Sequence, residues 1–315
     1  MPLDAMTKKT MPFRVIHYSL QGAAPTPGLL IGDNIIDLQA AGLATSMDDL
    51  LAHWSERLPR LAALATSSHA TPVKLAQATL HAPVPTSGTV YCAGANYHDH
   101  IAEMAKLRGT AVPPQDDHEP WHFIKPTRAC VTGPGPVQRP EGCRKLDWEA
   151  ELAVVIGHKA HRISVAEALS CVAGYTVAND LSARDLSRRA ARSPDNTFYL
   201  DWLAHKGFDS SCPIGPWLTP AGSIDPQNLR IQLSVNGVSK QDSNTSGMIF
   251  SVAEQIAHLS RRTTLLPGDI ILTGTPAGVG SGYNEFLEPG DRVSVVVEGL
   301  GELVNTIVDM TETSA

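Results

Sequence analysis

"LDWEAELAVVIG", Leu146–Gly157, places two glutamates at the mouth of a run that otherwise reads as a buried strand. Side chains two apart on a strand share a face. Glu149 and Glu151 therefore point the same way, and two such carboxylates repel unless a cation, a proton or hydrogen-bond donors lie between them. A second strand-like run, "CVAGYTVAND", ends on Asp180, with a short helix expected between the two. If these strands are neighbours, three carboxylates converge. Oxygen-only ligands favour a hard divalent cation, Mg²⁺, Mn²⁺ or Ca²⁺, over zinc. The competing reading is a pair of strand-edge acids facing solvent.

Working outward, the chain from Thr89 is mostly strands and turns. "RIQLSVNGVSKQ" reads as a hairpin around Asn236–Gly237 and "DRVSVVVEGLGELVNTIV" as a closing hairpin. "SVAE" occurs at Ser164–Glu167 and again at Ser251–Glu254, each a capping box that opens a helix. "LSARDLSRRAAR" is helical in composition, and Met104–His122 reads as a long polar loop of the kind that forms lids. Many short strands with few helices predict a closed or rolled β-structure. Before it, Phe13 to about Ala78 reads as a small separate α/β unit, with "ERLPRLAALA" a helix interrupted at Pro59. "HAPVPTSG", His81–Gly88, is the expected linker, which divides the chain into 1–80 and 81–315.

The bulk composition excludes several classes. At 315 residues, 43% hydrophobic, 18% charged and net charge −7, with no long basic run, the chain is a poor sequence-independent binder of nucleic acid. Its five cysteines are widely spaced without a CxxC pair, which fits a reducing compartment better than a disulfide framework or a zinc site. No apolar run approaches bilayer length and the first residues lack a signal-peptide core, so the expectation is a cytoplasmic protein without membrane contact.

Two further clusters carry chemistry. In "NYHDHIAEM", His100 and Glu103 are three apart and face each other on a helix that starts near Asp99. A carboxylate beside an imidazole fixes its tautomer and raises its basicity, as a general base requires. His98, His100 and Glu103 could equally be metal ligands or plain surface residues. "TGTPAGVG", Thr273–Gly280, follows a strand and offers backbone N–H groups to an anion, although it lacks both the phosphate-loop ending and the dinucleotide spacing.

Taken together, these segments resemble the fumarylacetoacetate hydrolase family over about Thr89 to Val308. "NYHDHIAEM", "FIKP" (Phe123–Pro126), "LDWEAELAVVIG", "VANDLSARD", "HKGFDSSCPIGPW" and "LLPGDIILTGTPAGVG" are similar to its motifs. The resemblance implies an α+β protein, a mixed β-sheet roll with a small N-terminal domain, working as a homodimer with Mg²⁺ or Mn²⁺. It implies Glu149, Glu151 and Asp180 as metal ligands, and His100, Glu103 and Lys206 as catalytic groups. Tyr97, Lys125, Arg184 and Thr275 would contact a small-molecule 2-oxo acid. The implied reaction is hydrolysis of a C–C bond in a 2,4-dioxo acid such as an acylpyruvate, often in aromatic catabolism. Decarboxylation, hydration or tautomerisation of a related 2-oxo acid is the alternative. Ser187 stands where some family hydrolases carry a glutamine, which leaves the acyl group open.

Overall fold

The computed structural model describes residues 13–67, 73–85, 87–112 and 119–309. Every residue of the strands Ala150–Ile156 and Val172–Asn179 is buried. Even and odd positions of the first strand enter two different cores. Leu152, Val154 and Ile156 pack with Ile231, Leu233, Val293 and Val295 of a five-stranded sheet. Ala153 and Val155 pack with Leu50, Leu51 and Trp54 of the helices Met47–Ala52 and Trp54–Thr66. A strand covered on both faces reads as a continuous apolar run, which is the pattern of "ELAVVIG".

The two strands lie at the centre of a twelve-stranded sheet. On one side it continues through Cys212–Pro220 to Arg14–Ser19 and Thr26–Ile31, and on the other through Ile270–Leu272 and Val90–Ala93 to the edge strand His122–Lys125. Ile270–Leu272 runs parallel to Val90–Ala93, and Gly301–Asp309 runs parallel to Gly135–Arg139 in the smaller sheet, so both sheets are mixed. The fold is α+β, a mixed β-sheet roll. The sheet also crosses the linker region of the sequence: Val15 of Arg14–Ser19 pairs with Leu218. Trp54 is 2% exposed and lies so close to Gly157 that a Cβ there would meet its ring at 2.8 Å. Trp54→Ala is expected to lower stability by about 3–5 kcal/mol, the range for a deleted core aromatic. Denaturant unfolding measures this, and a loss below 1 kcal/mol would mean the helices contribute little to the roll.

The Asn236–Gly237 hairpin turn has φ of 51° and 79°, the doubly left-handed turn that joins twisted strands. Both capping boxes form. Three local expectations are corrected. "LSARDLSRRAAR" is not a helix: Ser182–Ala183 pairs with Leu146–Asp147, and only Arg184–Ser187 makes a short 3₁₀ turn. The reason is charge, because the Arg184 side chain is drawn to two buried carboxylates described below. The helix Trp54–Thr66 passes through Pro59 unbroken, since its buried residues Trp54 and Leu61 hold it on both sides of one missing hydrogen bond. Met104–Arg108 is helical, the end of His98–Arg108, which stops on Gly109 at φ 65°. Of the loop expected beyond it, 113–118 lie outside the described residues. The five cysteines are buried and free. Among the described residues no helix is long and apolar enough to cross a membrane.

Candidate active site

The antiparallel register decides where the acids go. Ala150 lies opposite Asn179 and Glu151 opposite Ala178. One step further out, Glu149 meets Asp180, whose N–H donates to the Glu149 carbonyl at 2.9 Å. Residues opposite each other across such a pair share a face, as do residues two apart. Glu149, Glu151 and Asp180 therefore converge. One carboxylate oxygen from each lies within 4.8 Å of the others, and all three residues are buried. They are not a solvent-facing edge.

Cations surround two of the three. Lys206 Nζ donates to Glu149 Oε2 at 2.9 Å and to Asp180 Oδ2 at 2.6 Å. Lys125 Nζ lies 2.6 Å from Asp180 Oδ1 and donates to the carbonyls of Leu181 and Ser211 at 3.2 and 2.7 Å, so its donors serve the protein's own acceptors. Arg184 donates through Nη2 to Glu149 Oε1 at 2.5 Å and through Nε to Asp147 Oδ2 at 2.8 Å. Among the described residues Glu151 has no such partner. Its Oε2 accepts from the Gly274 N–H at 2.6 Å, while its Oε1 is buried without a hydrogen bond. The acidities follow. Burial pushes Glu149 up, but Lys206 and Arg184 outweigh it and hold this carboxyl below the usual range. Burial, then Asp180 and Glu149, push Glu151 well above it. A buried carboxylate oxygen with nothing to accept, beside two further carboxylates, is the donor set of a hard divalent cation. The residues present fit such an ion.

The glycine-rich loop grips the protein's own acids. Gly274 N–H binds Glu151, Gly278 N–H binds Glu103 at 3.0 Å, and the Gly280 and Ser281 N–H groups bind Asp147 at 2.7 and 3.0 Å. Gly278 has φ 98°, and a Cβ there would meet the Lys240 carbonyl at 2.1 Å, so the loop requires glycine at this point. Thr275 is buried, and its hydroxyl accepts from Gln241 Nε2 at 2.9 Å.

His100 lies on the helix His98–Arg108, and its Nδ1 is 3.9 Å from Glu103 Oε2, beyond hydrogen-bond distance. Glu103 is held instead by the Tyr283 hydroxyl at 2.8 Å and by Gly278. His100 Nδ1 is buried and has no partner among the described residues. Burial lowers its pKa against the pull of Glu149 and Glu103, which favours the neutral ring. Tyr97, just before that helix, is fully buried and its hydroxyl has no partner among the described residues. His100, Met104, Arg184, Val279 and Ser281 line a cavity of 310 Å³.

Two positioning residues escape a reading of motifs. Asp147, fully buried, ties Arg184 to the glycine-rich loop. It precedes Glu149 by two, so the alternation that marks the two glutamates includes it. Gln241 has no such signal, because it sits in the polar strand "VSKQDSN", yet it alone of those residues is buried. Its Oε1 accepts from Ala150 N–H at 2.9 Å, and its Nε2 donates to Thr275 and to the Pro276 carbonyl at 2.8 Å. It thus joins the acid strand to the loop. Gln241→Leu leaves these groups unsatisfied and is expected to cost about 1–3 kcal/mol. Thermal unfolding tests this, and unchanged stability would show that the two elements hold together without it.

The profile described as fumarylacetoacetate (FAA) hydrolase, C-terminal, matches residues 89–308. The chain belongs to the fumarylacetoacetate hydrolase family. Within it, the oxaloacetate tautomerase YisK of Bacillus subtilis is 40% identical over 239 residues, 74% of each chain. The mitochondrial oxaloacetate tautomerase Fahd2a of Rattus norvegicus is 37% identical over 283 residues, 88% of this chain and 85% of that protein. Among solved structures, maleylpyruvate hydrolase from Sphingobium sp. SYK-6, in complex with manganese(II) and pyruvate, superposes with TM-score 0.73 at 28% identity, covering 95% of this chain and all of that one. Relatives in this family thus include tautomerases and hydrolases.

Proposed function

We propose that the chain is a divalent-metal-dependent enzyme that forms and reprotonates the enolate of a 2-oxo acid, and that keto–enol tautomerisation is its main reaction. The observation that carries this reading is His100, whose buried Nδ1 has no hydrogen-bond partner among the described residues and which stands beside the carboxylate trio. Removing a proton from carbon needs only a free base of suitable pKa. Activating water as a nucleophile benefits from a second group that orients the imidazole, and here Glu103 is held away by Tyr283 and Gly278. The two tautomerases at 37–40% identity support the same choice.

A cation on Glu149, Glu151 and Asp180, Mg²⁺ or Mn²⁺, supplies when bound the Lewis acidity that stabilises negative charge on a 2-oxo oxygen. The manganese ion and pyruvate in the Sphingobium hydrolase support this assignment. In the keto-to-enol direction His100 takes the proton from the carbon next to the oxo group and delivers it to the enolate oxygen, and in the reverse direction it takes the enol O–H proton and delivers it to that carbon. Lys206 keeps positive charge beside the developing enolate. Lys125 and Arg184 fix Asp180 and Glu149 in place. Thr275, its oxygen already accepting from Gln241, has its proton left to donate to the substrate carboxylate.

Hydrolysis of a 2,4-dioxo acid is the second reading, favoured by the closeness of Glu103 to His100 on one helix face. One experiment separates the two. The purified protein with Mn²⁺ is given oxaloacetate, with the enol absorbance followed, and acetylpyruvate, with released pyruvate assayed. The proposal expects fast enol decay and little pyruvate. Pyruvate release that outpaces enol decay would reverse the order.

A further inference from the structure

Away from the carboxylate trio, the edge strand His122–Lys125 and the helix Val252–Arg262 meet through two histidines. The rings of His122 and His258 have centroids 6.0 Å apart and planes inclined by 27°. His258 is 7% exposed. Its Nδ1 and both ring nitrogens of His122 are buried, with no hydrogen-bond partner among the described residues. Gln255 lies three residues before His258, on the same helix face. It is fully buried, and its Nε2 donates to the Phe250 carbonyl at 3.0 Å, while its Oε1 has no partner among the described residues. Gln255 stands near enough to His122 to draw the pKa of that ring upward, yet the two do not reach hydrogen-bond geometry.

Buried polar groups are nearly always hydrogen-bonded, so a group of them left without partners calls for a reason. Packing alone would be served as well by apolar side chains, which bring no nitrogen to satisfy. Burial lowers the His122 pKa to about 4, with Gln255 opposing and His258 assisting, and burial lowers that of His258 too. A neutral imidazole keeps a lone pair on one nitrogen, which is the state that binds a metal. The charged groups facing His258 are Glu119, Arg262 and Arg261, and the first two are paired with each other at 2.8 Å. The donors on offer are therefore two imidazoles and an amide oxygen, the reverse of the all-carboxylate trio.

We propose that His122, His258 and Gln255 form a second cation site, for a divalent ion that prefers imidazole, Zn²⁺ or its neighbours Ni²⁺ and Cu²⁺. Two imidazoles on one such ion hold their centroids about 5–6.5 Å apart, given Zn–N bonds of ~2.1 Å, and the observed spacing falls in that interval. The rings turn about their own side-chain bonds to aim nitrogens at the ion, Gln255 Oε1 adds an oxygen, and solvent completes the shell. The ion ties the sheet edge that ends in Lys125 to the helix.

The test uses the whole protein, stripped of metal and then given excess Mg²⁺ to fill the trio. In calorimetric titration with Zn²⁺, the wild type is expected to take up one more ion than His122→Phe or His258→Phe, which keep a ring but carry no nitrogen. With Cu²⁺ as the probe, the wild-type electron paramagnetic resonance spectrum should show splitting from two imidazoles on one ion. The trio has only His100 beside it and cannot give that pattern. The pattern should be lost in either variant and kept in His81→Phe, which alters the other close histidine pair, His17 and His81 at 5.6 Å. Zn²⁺ should raise the unfolding temperature of the wild type more than that of either variant. Equal Zn²⁺ uptake by wild type and variants, or loss of the two-imidazole pattern in His81→Phe alone, would overturn the site. So would a wild-type Cu²⁺ spectrum without two imidazoles, a result that needs no variant to fold.

Discussion

Glu151→Gln is expected to abolish metal-dependent turnover while leaving the metal-free protein at least as stable as the wild type. Glu151 is the member of the trio with no cation beside it and with one buried oxygen unpartnered. An amide loses the charge that burial and two neighbouring carboxylates oppose, and its oxygen can still accept from Gly274. Asp180→Asn should behave differently. Lys125 would lose its counter-charge in this buried site, and Lys206 would lose one of its two. Breaking a buried pair from one side costs about 3–5 kcal/mol. Both variants should lose metal affinity by at least about a hundredfold, more than the loss of a supporting residue around a metal. Calorimetric titration with Mn²⁺ and thermal unfolding of the metal-free proteins give the two readouts. Wild-type Mn²⁺ affinity in either variant would remove that residue from the ligand set. Equal destabilisation by both would mean that Glu151 has a charge partner after all.

His100→Ala is expected to lower turnover by about two to four orders of magnitude, the usual contribution of a general base. Mn²⁺ affinity should be retained, since the imidazole makes no contact with the trio that holds it together. Glu103→Gln provides the contrast. With tautomerisation as the main reaction it should cost less than tenfold, because Glu103 is bound to Tyr283 and Gly278 and stands 3.9 Å from the ring. Losses of similar size in both variants would show that the pair acts as a unit, as hydrolysis would use it. Loss of Mn²⁺ along with activity in His100→Ala would place a metal on the histidine helix instead.

Much of this arrangement was legible in the chain because it follows from alternation. Glu149 and Glu151 share a face by parity, and Asp180 joins them once the two apolar runs pair. The capping boxes and the Asn236–Gly237 turn are local and formed as read. What escaped reading depends on contacts distant in sequence. Gln241 looks like a surface residue until the Ala150 N–H and the Thr275 hydroxyl arrive on either side of it. The segment after Asp180 has helical composition, but buried Asp147 and Glu149 draw Arg184 inward and cut the helix short.

The pairing of Ala150–Ile156 with Val172–Asn179 has a consequence for how the chain finds its fold. In most half-exposed strands a slip of one residue moves apolar groups into water, and that penalty fixes the alignment. Here both faces are dry and apolar, so a slipped strand would still bury Ala, Leu, Val and Ile in roughly equal measure. The charges distinguish the two outcomes. Shifted by one position, Glu149 and Asp180 would no longer face each other, and the buried Lys206, which bridges them, would lose one of its two counter-charges. The acids that serve the chemistry therefore also tell the correct strand alignment from its neighbour. A chain that substituted them freely would lose a folding instruction together with a reaction.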